Sequence, residues 1–474
     1  MKRDNIFIGR EKELSAIGKL YKEAQSQLTV VYGRRRIGKT AFIEKFCEGK
    51  DHFYFTGRKS EKQGDLFRRL LNDIARSCNN PLISKVAVND WNEIFEIIDS
   101  AYDKKMVIVF DEFQWMCTKY STLISALQEH WDKKWKDSQK VFLVLCGSII
   151  SFMEKNVLSE KSPLYGRRTA SFELEAMPAS EAKLFFPSKN AVEQAETIMT
   201  FGGVPSYLEL INTKESLAQN INRLALTKDC YFFNEIEFIL REQLKNPARY
   251  YSLLESIAGG SSTRKELAQA LNIGNSGALD LYLKSLQKLH LLKESKPITK
   301  SATAKTQRYM IWDEFLRFYF TFIYPNKERI QLSLDDWLYD SVISPKWESY
   351  CGYSFELFCR KNMKAIILLL QIEKVFERSG TYWRSVTKSE EGLQIDIVIE
   401  RTDKITHLIE CKWSSGKIGA SVLGELERKK KLYPNPLQHT LKTAIATLHG
   451  VTEQVASSGM IDDIILATDI LNSP

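Results

Sequence analysis

The segment Gly33-Arg-Arg-Arg-Ile-Gly-Lys-Thr40 constrains this chain more than any other. It fits G-x-x-x-x-G-K-[ST] in full, follows the apolar run Leu28-Thr-Val-Val-Tyr32 and opens a helix at Ala41-Phe-Ile-Glu-Lys-Phe46. Such a loop works only between a strand and a helix. Its glycines let backbone N–H groups turn inward around phosphate oxygens, and the helix N-terminus adds its positive dipole end. The nucleotide-binding set is therefore Gly33, Arg34, Arg35, Arg36, Ile37, Gly38, Lys39, Thr40 and Ala41. Lys39 reaches the terminal phosphates of ATP, and Thr40 offers a hydroxyl ligand to Mg²⁺.

The rest of the N-terminal region agrees with an α/β unit on a mostly parallel sheet, because apolar runs alternate with helical patterns. Strands are expected at Leu28–Tyr32, His52–Phe55, Met106–Phe110, Val141–Cys146 and Ser171–Leu174. The third ends in Asp111 and Glu112, a metal-holding carboxylate followed by a general base for the attacking water. The fourth ends in Gly147-Ser148, where Ser148 is placed to sense the γ-phosphate. Downstream, Arg167 and Arg168 offer guanidiniums for the transferred phosphoryl group; a plain surface ion pair is the competing reading.

Composition narrows the class without naming a chemistry. The 474 residues are 44% hydrophobic and 27% charged, an ordinary globular balance. No apolar run approaches the ~18–20 residues of a membrane span, and the N-terminus lacks a signal-peptide core, so no membrane partner is expected. The eight cysteines form no CxxC pair, which suggests a reducing, cytoplasmic setting. The formal charge of +8 gathers in residues 1–50, 251–300 and 401–450, each beside a segment expected to meet phosphate.

The box Phe7-Ile-Gly-Arg-Glu-Lys-Glu-Leu14, the phosphate loop, Asp111-Glu-Phe-Gln114, Pro163-Leu-Tyr-Gly-Arg-Arg168 and Gly202-Gly-Val-Pro205 together resemble the archaeal-type ATPases. That group sits near the origin-recognition and STAND branches of the AAA+ superfamily. The resemblance implies that the segment at Ile8, Gly9 and Arg10 packs against adenine and that Pro205 caps the base from a helical lid. A nucleotide-dependent homo-oligomer follows if either arginine acts in trans.

Beyond the lid, Thr263-Arg-Lys-Glu266 is a capping box. Helices around Leu267–Leu271 and Leu279–Leu289, then Leu291–Pro297 and Gln307–Ile311 as a wing, resemble a winged helix-turn-helix. Asn275, Ser276 and Asp280 at the second helix are poor base readers. Lys296, Lys300, Lys305 and Arg308 suit non-specific phosphate contact, and a protein-contacting role fits equally well. Further on, Glu410 and Lys412 share one face of the strand Thr406–Trp413, Asp396 lies on the preceding strand and Glu356 on an upstream helix. This set resembles the PD-(D/E)xK nuclease core in its αβββαβ order. The resemblance implies that Glu356, Asp396 and Glu410 hold metal ions, that Lys412 acts on the attacking water, and that the helix bearing Arg428-Lys-Lys-Lys431 grips phosphate.

The expected architecture is α/β: a P-loop AAA+ core (1–178), a helical lid (179–248), a winged helix-turn-helix (249–325), a linker (326–345) and a restriction-endonuclease-like domain (346–474). The expected function is Mg²⁺-dependent ATP hydrolysis coupled to nucleic-acid binding or cleavage, with DNA favoured over RNA. The alternative is an ATP/ADP switch controlling protein assembly, its nuclease fold non-catalytic.

Overall fold

The structure is a computed structural model that describes residues 7–117, 122–260, 262–273, 277–298, 307–332, 336–387 and 390–473. Asn275, Ser276, Lys300 and Lys305 lie outside the described residues. The chain divides into two compact units, Met1–Ala176 and Met177–Pro474.

The first unit is built on five parallel strands: β1 (Gln27–Tyr32), β2 (His52–Thr56), β3 (Met106–Asp111), β4 (Val141–Gly147) and β5 (Ala170–Glu173). Their order across the sheet is β2-β3-β4-β1-β5, so the chain crosses over between non-adjacent strands and β1 lies between β4 and β5. The central strands β3 and β4 are buried along their whole length, as unbroken apolar runs covered by helices on both faces should be. Edge strand β5 alternates instead. Helices Gln63–Ser77 and Trp91–Ser100 place Leu70, Ile74, Trp91 and Phe95 against Phe53, Phe55 and Phe110, forming the aromatic-rich core.

The second unit holds two sheets. A short antiparallel pair, β6 (Leu292–Ser295) with β7 (Arg308–Ile311), follows the helices Arg264–Ala270 and Gly277–Lys288. The capping box forms, with Glu266 accepting from the Thr263 N–H. A mixed five-stranded sheet then runs β12-β11-β10-β9-β8. Its members are β8 (Phe376–Arg384), β9 (Leu393–Arg401), β10 (Ile405–Lys412), β11 (Thr440–Thr447) and β12 (Asp463–Leu466). Strands β8, β9 and β10 are antiparallel neighbours, while β10, β11 and β12 are parallel. Helix Trp347–Lys361 precedes this sheet, and helix Ser421–Leu432 crosses between β10 and β11.

The expected linker at 326–345 is a correction. Its described part carries helices Lys327–Leu332 and Tyr339–Val342 and buries Ile330, Leu338, Val342 and Ile343. Asn222 fixes it by donating to the Asp336 carbonyl at 2.8 Å and accepting from the Leu338 N–H at 3.0 Å. Among the described residues no helix is long and apolar enough to cross a membrane.

Candidate functional site

In the first unit, the carboxyl ends of β1, β3 and β4 meet at one edge of the sheet, where open α/β sheets bind their ligands. Gly33 leaves β1 at a φ of 153°, and a Cβ there would lie 2.3 Å from the Leu174 carbonyl oxygen. Only glycine lets the loop pass β5 this closely. Gly38 has a φ of 87° and directly precedes helix Lys39–Cys47. Lys39 is buried, its Nζ donating to the Arg34 carbonyl at 2.9 Å. Gly33→Ala is expected to weaken ATP binding by about tenfold or more through loop strain of ~1–3 kcal/mol, as measured by titration calorimetry.

Asp111 is the hub of the site. Its Oδ2 accepts from the Thr40 hydroxyl and the Tyr54 hydroxyl, both at 2.9 Å, and its Oδ1 accepts from the Glu112 N–H at 2.8 Å. Burial, reinforced by Asp111, pushes the Tyr54 phenol far up, so Tyr54 stays a donor. The paired hydroxyl and carboxylate oxygens of Thr40 and Asp111 suit Mg²⁺, which takes few protein ligands and keeps waters. The residues present fit the ion.

Glu112 turns back from the strand at a φ of 50°, an uncommon conformation for a non-glycine residue. The turn aims its carboxylate at β4. Its Oε2 accepts from the Ser148 hydroxyl at 2.8 Å and from Gln114 Nε2, while Gln114 Oε1 accepts from the Ser148 N–H at 3.2 Å. A Cβ on Gly147 would sit 2.4 Å from Met153 Sδ and 2.9 Å from Gln114 Oε1, so a larger residue there would push on the side chains packed beside Ser148.

The two arginines separate. Arg167 is engaged bidentately by Asp132, with Nε to Oδ1 at 2.8 Å and Nη2 to Oδ2 at 2.6 Å. Arg168 donates to the Leu158 carbonyl at 3.2 Å, and its buried Nε has no hydrogen-bond partner among the described residues. It lies near the end of β1, where its charge offsets a small part of the rise of Tyr32, pushed up to about 12 by burial and Glu173. Gly9 and Arg10 both take positive φ, and Arg10 is buried, bonded to Glu13 and the Glu175 carbonyl. Half-buried Ile8 precedes them. Pro205 belongs to the second unit, buried at the start of helix Pro205–Leu208.

In the second unit, Glu356, Asp396 and Glu410 interact electrostatically. Burial and then Asp396 push both glutamates above the usual carboxylate range. Asp396 accepts from the Cys411 N–H at 3.0 Å, and Glu356 pairs with Arg360 at 3.2 Å. The cation nearest Glu410 is Lys429, at 2.7 and 2.6 Å from its two oxygens. Lys412 stands 3.1 Å from Glu410 and 2.9 Å from Glu425, which also meets Lys429 at 3.0 Å. Burial works to lower the Lys412 pKa, but Glu410 and Glu425 outweigh it and raise it.

This network changes the expectation for the basic helix. Lys429 is buried in an ion pair and is not a phosphate-gripping surface residue. The sequence reading assigned no role to Tyr54, Gln114 or Glu425, since each acts only through a contact across strands or between strand and helix.

Elsewhere in this unit, Asp280 is neutralised by Arg264, Lys296 pairs with Glu294 at 2.9 Å, and the Arg308 guanidinium lies 5.1 Å from the Trp383 ring. The β6–β7 hairpin also meets the edge of the larger sheet. The Ile298 N–H donates to the Thr381 carbonyl at 2.9 Å, and the Ser295 and Thr381 hydroxyls are 3.0 Å apart.

Comparison with known proteins gives these two regions separate matches. Residues 7–211 match an ATPase domain predominantly from Archaea, and residues 319–429 match a domain of archaeal and bacterial proteins of unknown function. The chain is 30% identical over 432 residues to the uncharacterized protein MJECL04 of Methanocaldococcus jannaschii, covering 90% of this chain and 92% of that protein. A short stretch of 45 residues is 42% identical to the uncharacterized ATP-binding protein MJ0423 of the same organism, covering 10% of this chain and 76% of that protein. In fold it is similar to the Walker-type ATPase PABY2304 of Pyrococcus abyssi, with a TM-score of 0.50 and 17% identity over 67% of this chain and 97% of that one. With residues 7–211 matching an archaeal ATPase domain and a near full-length likeness to MJECL04, the chain belongs to the same family as that protein.

Proposed function

We propose that this chain hydrolyses ATP with Mg²⁺ at the carboxyl edge of its parallel sheet and couples turnover to nucleic-acid binding by its second unit. The observation that carries the first half is the Thr40–Asp111 contact with the Glu112–Ser148 pair beside it. In this reading Lys39 leaves the Arg34 carbonyl for the terminal phosphates, and Thr40 and Asp111 hold Mg²⁺. The ion supplies charge neutralisation across the phosphates. Glu112 orients the attacking water and takes its proton, Ser148 reports the γ-phosphate, and Arg168 is the guanidinium left available to meet developing charge, in cis or from a second copy. Ile8 and Gly9 serve as the adenine contacts of the first unit. Phosphate release from pure protein tests this: turnover should require Mg²⁺ and vanish in Lys39→Ala, and turnover that survives Lys39→Ala overturns it.

The second unit supports nucleic-acid contact through its helix–helix–hairpin order, which we read as a winged helix. We read its β9–β10 cluster as a PD-(D/E)xK-like core, in which Glu356, Asp396 and Glu410 would bind metal beside Lys412. One observation favours a second reading, a nucleotide switch whose nuclease-like fold binds without cutting: Lys429 engages both Glu410 oxygens. Incubation with Mn²⁺ or Mg²⁺ and a panel of DNA and RNA separates the two. Cleavage lost in both Glu410→Ala and Lys412→Ala supports catalysis. Binding without cleavage, or cleavage indifferent to both substitutions, removes the nuclease assignment.

A further inference from the structure

A cavity of about 500 Å³ opens in the second unit between helix Pro247–Ala258, strand β7 and helix Trp347–Lys361, a volume in the range of small-molecule sites. It is remote in sequence from the phosphate loop, and its walls include none of the carboxylates of the β9–β10 cluster. Its charged lining residues are Arg317 and Lys346, with no Asp or Glu among them.

Arg317 is only 7% exposed. Its Nη1 donates to the Tyr353 carbonyl at 3.3 Å and its Nη2 to the Ile311 carbonyl at 3.2 Å. Among the described residues no carboxylate lies within ion-pair distance of it. The two carboxylates that act on it electrostatically are committed elsewhere: Glu314 to Lys361 at 2.6 Å and Glu356 to Arg360 at 3.2 Å. Two long hydrogen bonds to neutral carbonyls are weak compensation for a buried cation, which proteins ordinarily pair. The guanidinium also lies 4.5 Å from the ring of Tyr353, a side chain from the same wall that is 62% exposed. Tyr309 and Tyr350 add further aromatic surface.

A buried cation whose neighbouring carboxylates are ion-paired to other cations, a second cation at the rim and three tyrosines describe one kind of guest. We infer that this cavity binds a planar organic anion, a ring bearing a phosphate or carboxylate, with the anionic group on Arg317 and the ring against the tyrosines. The inference is independent of the ATPase and nuclease assignments.

The test uses the full chain with its phosphate loop saturated by a non-hydrolysable ATP analogue and Mg²⁺. Adenosine 5′-monophosphate and benzoate are titrated by calorimetry, with adenosine and benzamide as their uncharged counterparts. Saturable binding of either anion, at least about tenfold tighter than its uncharged counterpart, is expected. Binding of the monophosphate alone, of benzoate alone or of both identifies which anionic group is accepted, and each supports the site. Arg317→Met should abolish it. Because that change also removes two hydrogen bonds, two exposed rim substitutions provide the decisive reading. Lys346→Glu should weaken the anion by about fivefold, and Ser349→Trp should block entry, with analogue binding at the phosphate loop unchanged in both. Absence of saturable binding, equal affinity for charged and uncharged probes, or parental affinity in both rim variants overturns the inference.

Discussion

Glu112→Gln is expected to lower the turnover number for ATP by about 100- to 10,000-fold, the span over which a positioned general base contributes. Nucleotide affinity should change little. The substitution keeps the shape of the side chain and a carbonyl oxygen able to accept from Ser148, so the φ of 50° and the β3–β4 contact persist. What it removes is the ability to take a proton from water. Phosphate release and calorimetry on one preparation separate the two effects, and near-parental turnover would exclude Glu112 as the base. Tyr54→Phe makes a graded companion. It deletes one of the two hydroxyls on Asp111 Oδ2 and should raise the Mg²⁺ concentration for half-maximal activity by a few fold, about the net value of one ordinary hydrogen bond, ~0.5–1 kcal/mol.

These expectations rest on features of unequal visibility in the sequence. The phosphate loop and the Asp111-Glu112 strand end were legible because local order carries them: an apolar run buried on both faces, then a glycine-rich turn or paired carboxylates. The five parallel strands follow from the same signal, each within one or two residues of its expected bounds. Tyr54 was not legible, since its hydroxyl reaches Asp111 only because β2 pairs with β3 in the register Thr56↔Asp111. The Lys429-Lys-Lys431 run misled for a related reason. Consecutive helical residues point about 100° apart, so one of three lysines can turn inward while composition shows only a solvated run. The segment 326–345 looked like a linker because its helices are a turn or two long, too short to establish a period. Its order comes from Asn222, more than a hundred residues earlier.

The largest stability effect is expected at Lys429. Its ammonium lies within 2.7 Å of both oxygens of Glu410, and both side chains are at most a tenth exposed. Removing one member of a buried pair leaves the other charge uncompensated, at a cost of about 3–5 kcal/mol. Lys412 remains at 3.1 Å but is more exposed and shared with Glu425, so it offsets only part of the loss. Lys429→Met should therefore loosen β10 strongly near neutral pH, read as faster amide exchange along Ile405–Lys412 and a lower denaturation midpoint. The pH dependence has a definite sign. Burial and Asp396 already hold Glu410 above its ordinary value of 4.5, and Lys429 pulls against that rise. Without the lysine, the folded-state pKa climbs further above the unfolded one. The folded chain then binds more protons than the unfolded chain over a wider range, and stability falls as pH rises through that window. The deficit of Lys429→Met should thus be small near pH 4.5, where Glu410 is largely protonated, and should grow toward neutrality. Glu410→Gln in the same chain should remove most of the deficit and its pH dependence, because Glu410 then has no charge for the missing lysine to leave unpaired. A deficit equal at both pH values, or one the second substitution deepens, would mean that Lys429 stabilises the sheet by packing its methylene stem and not by its charge.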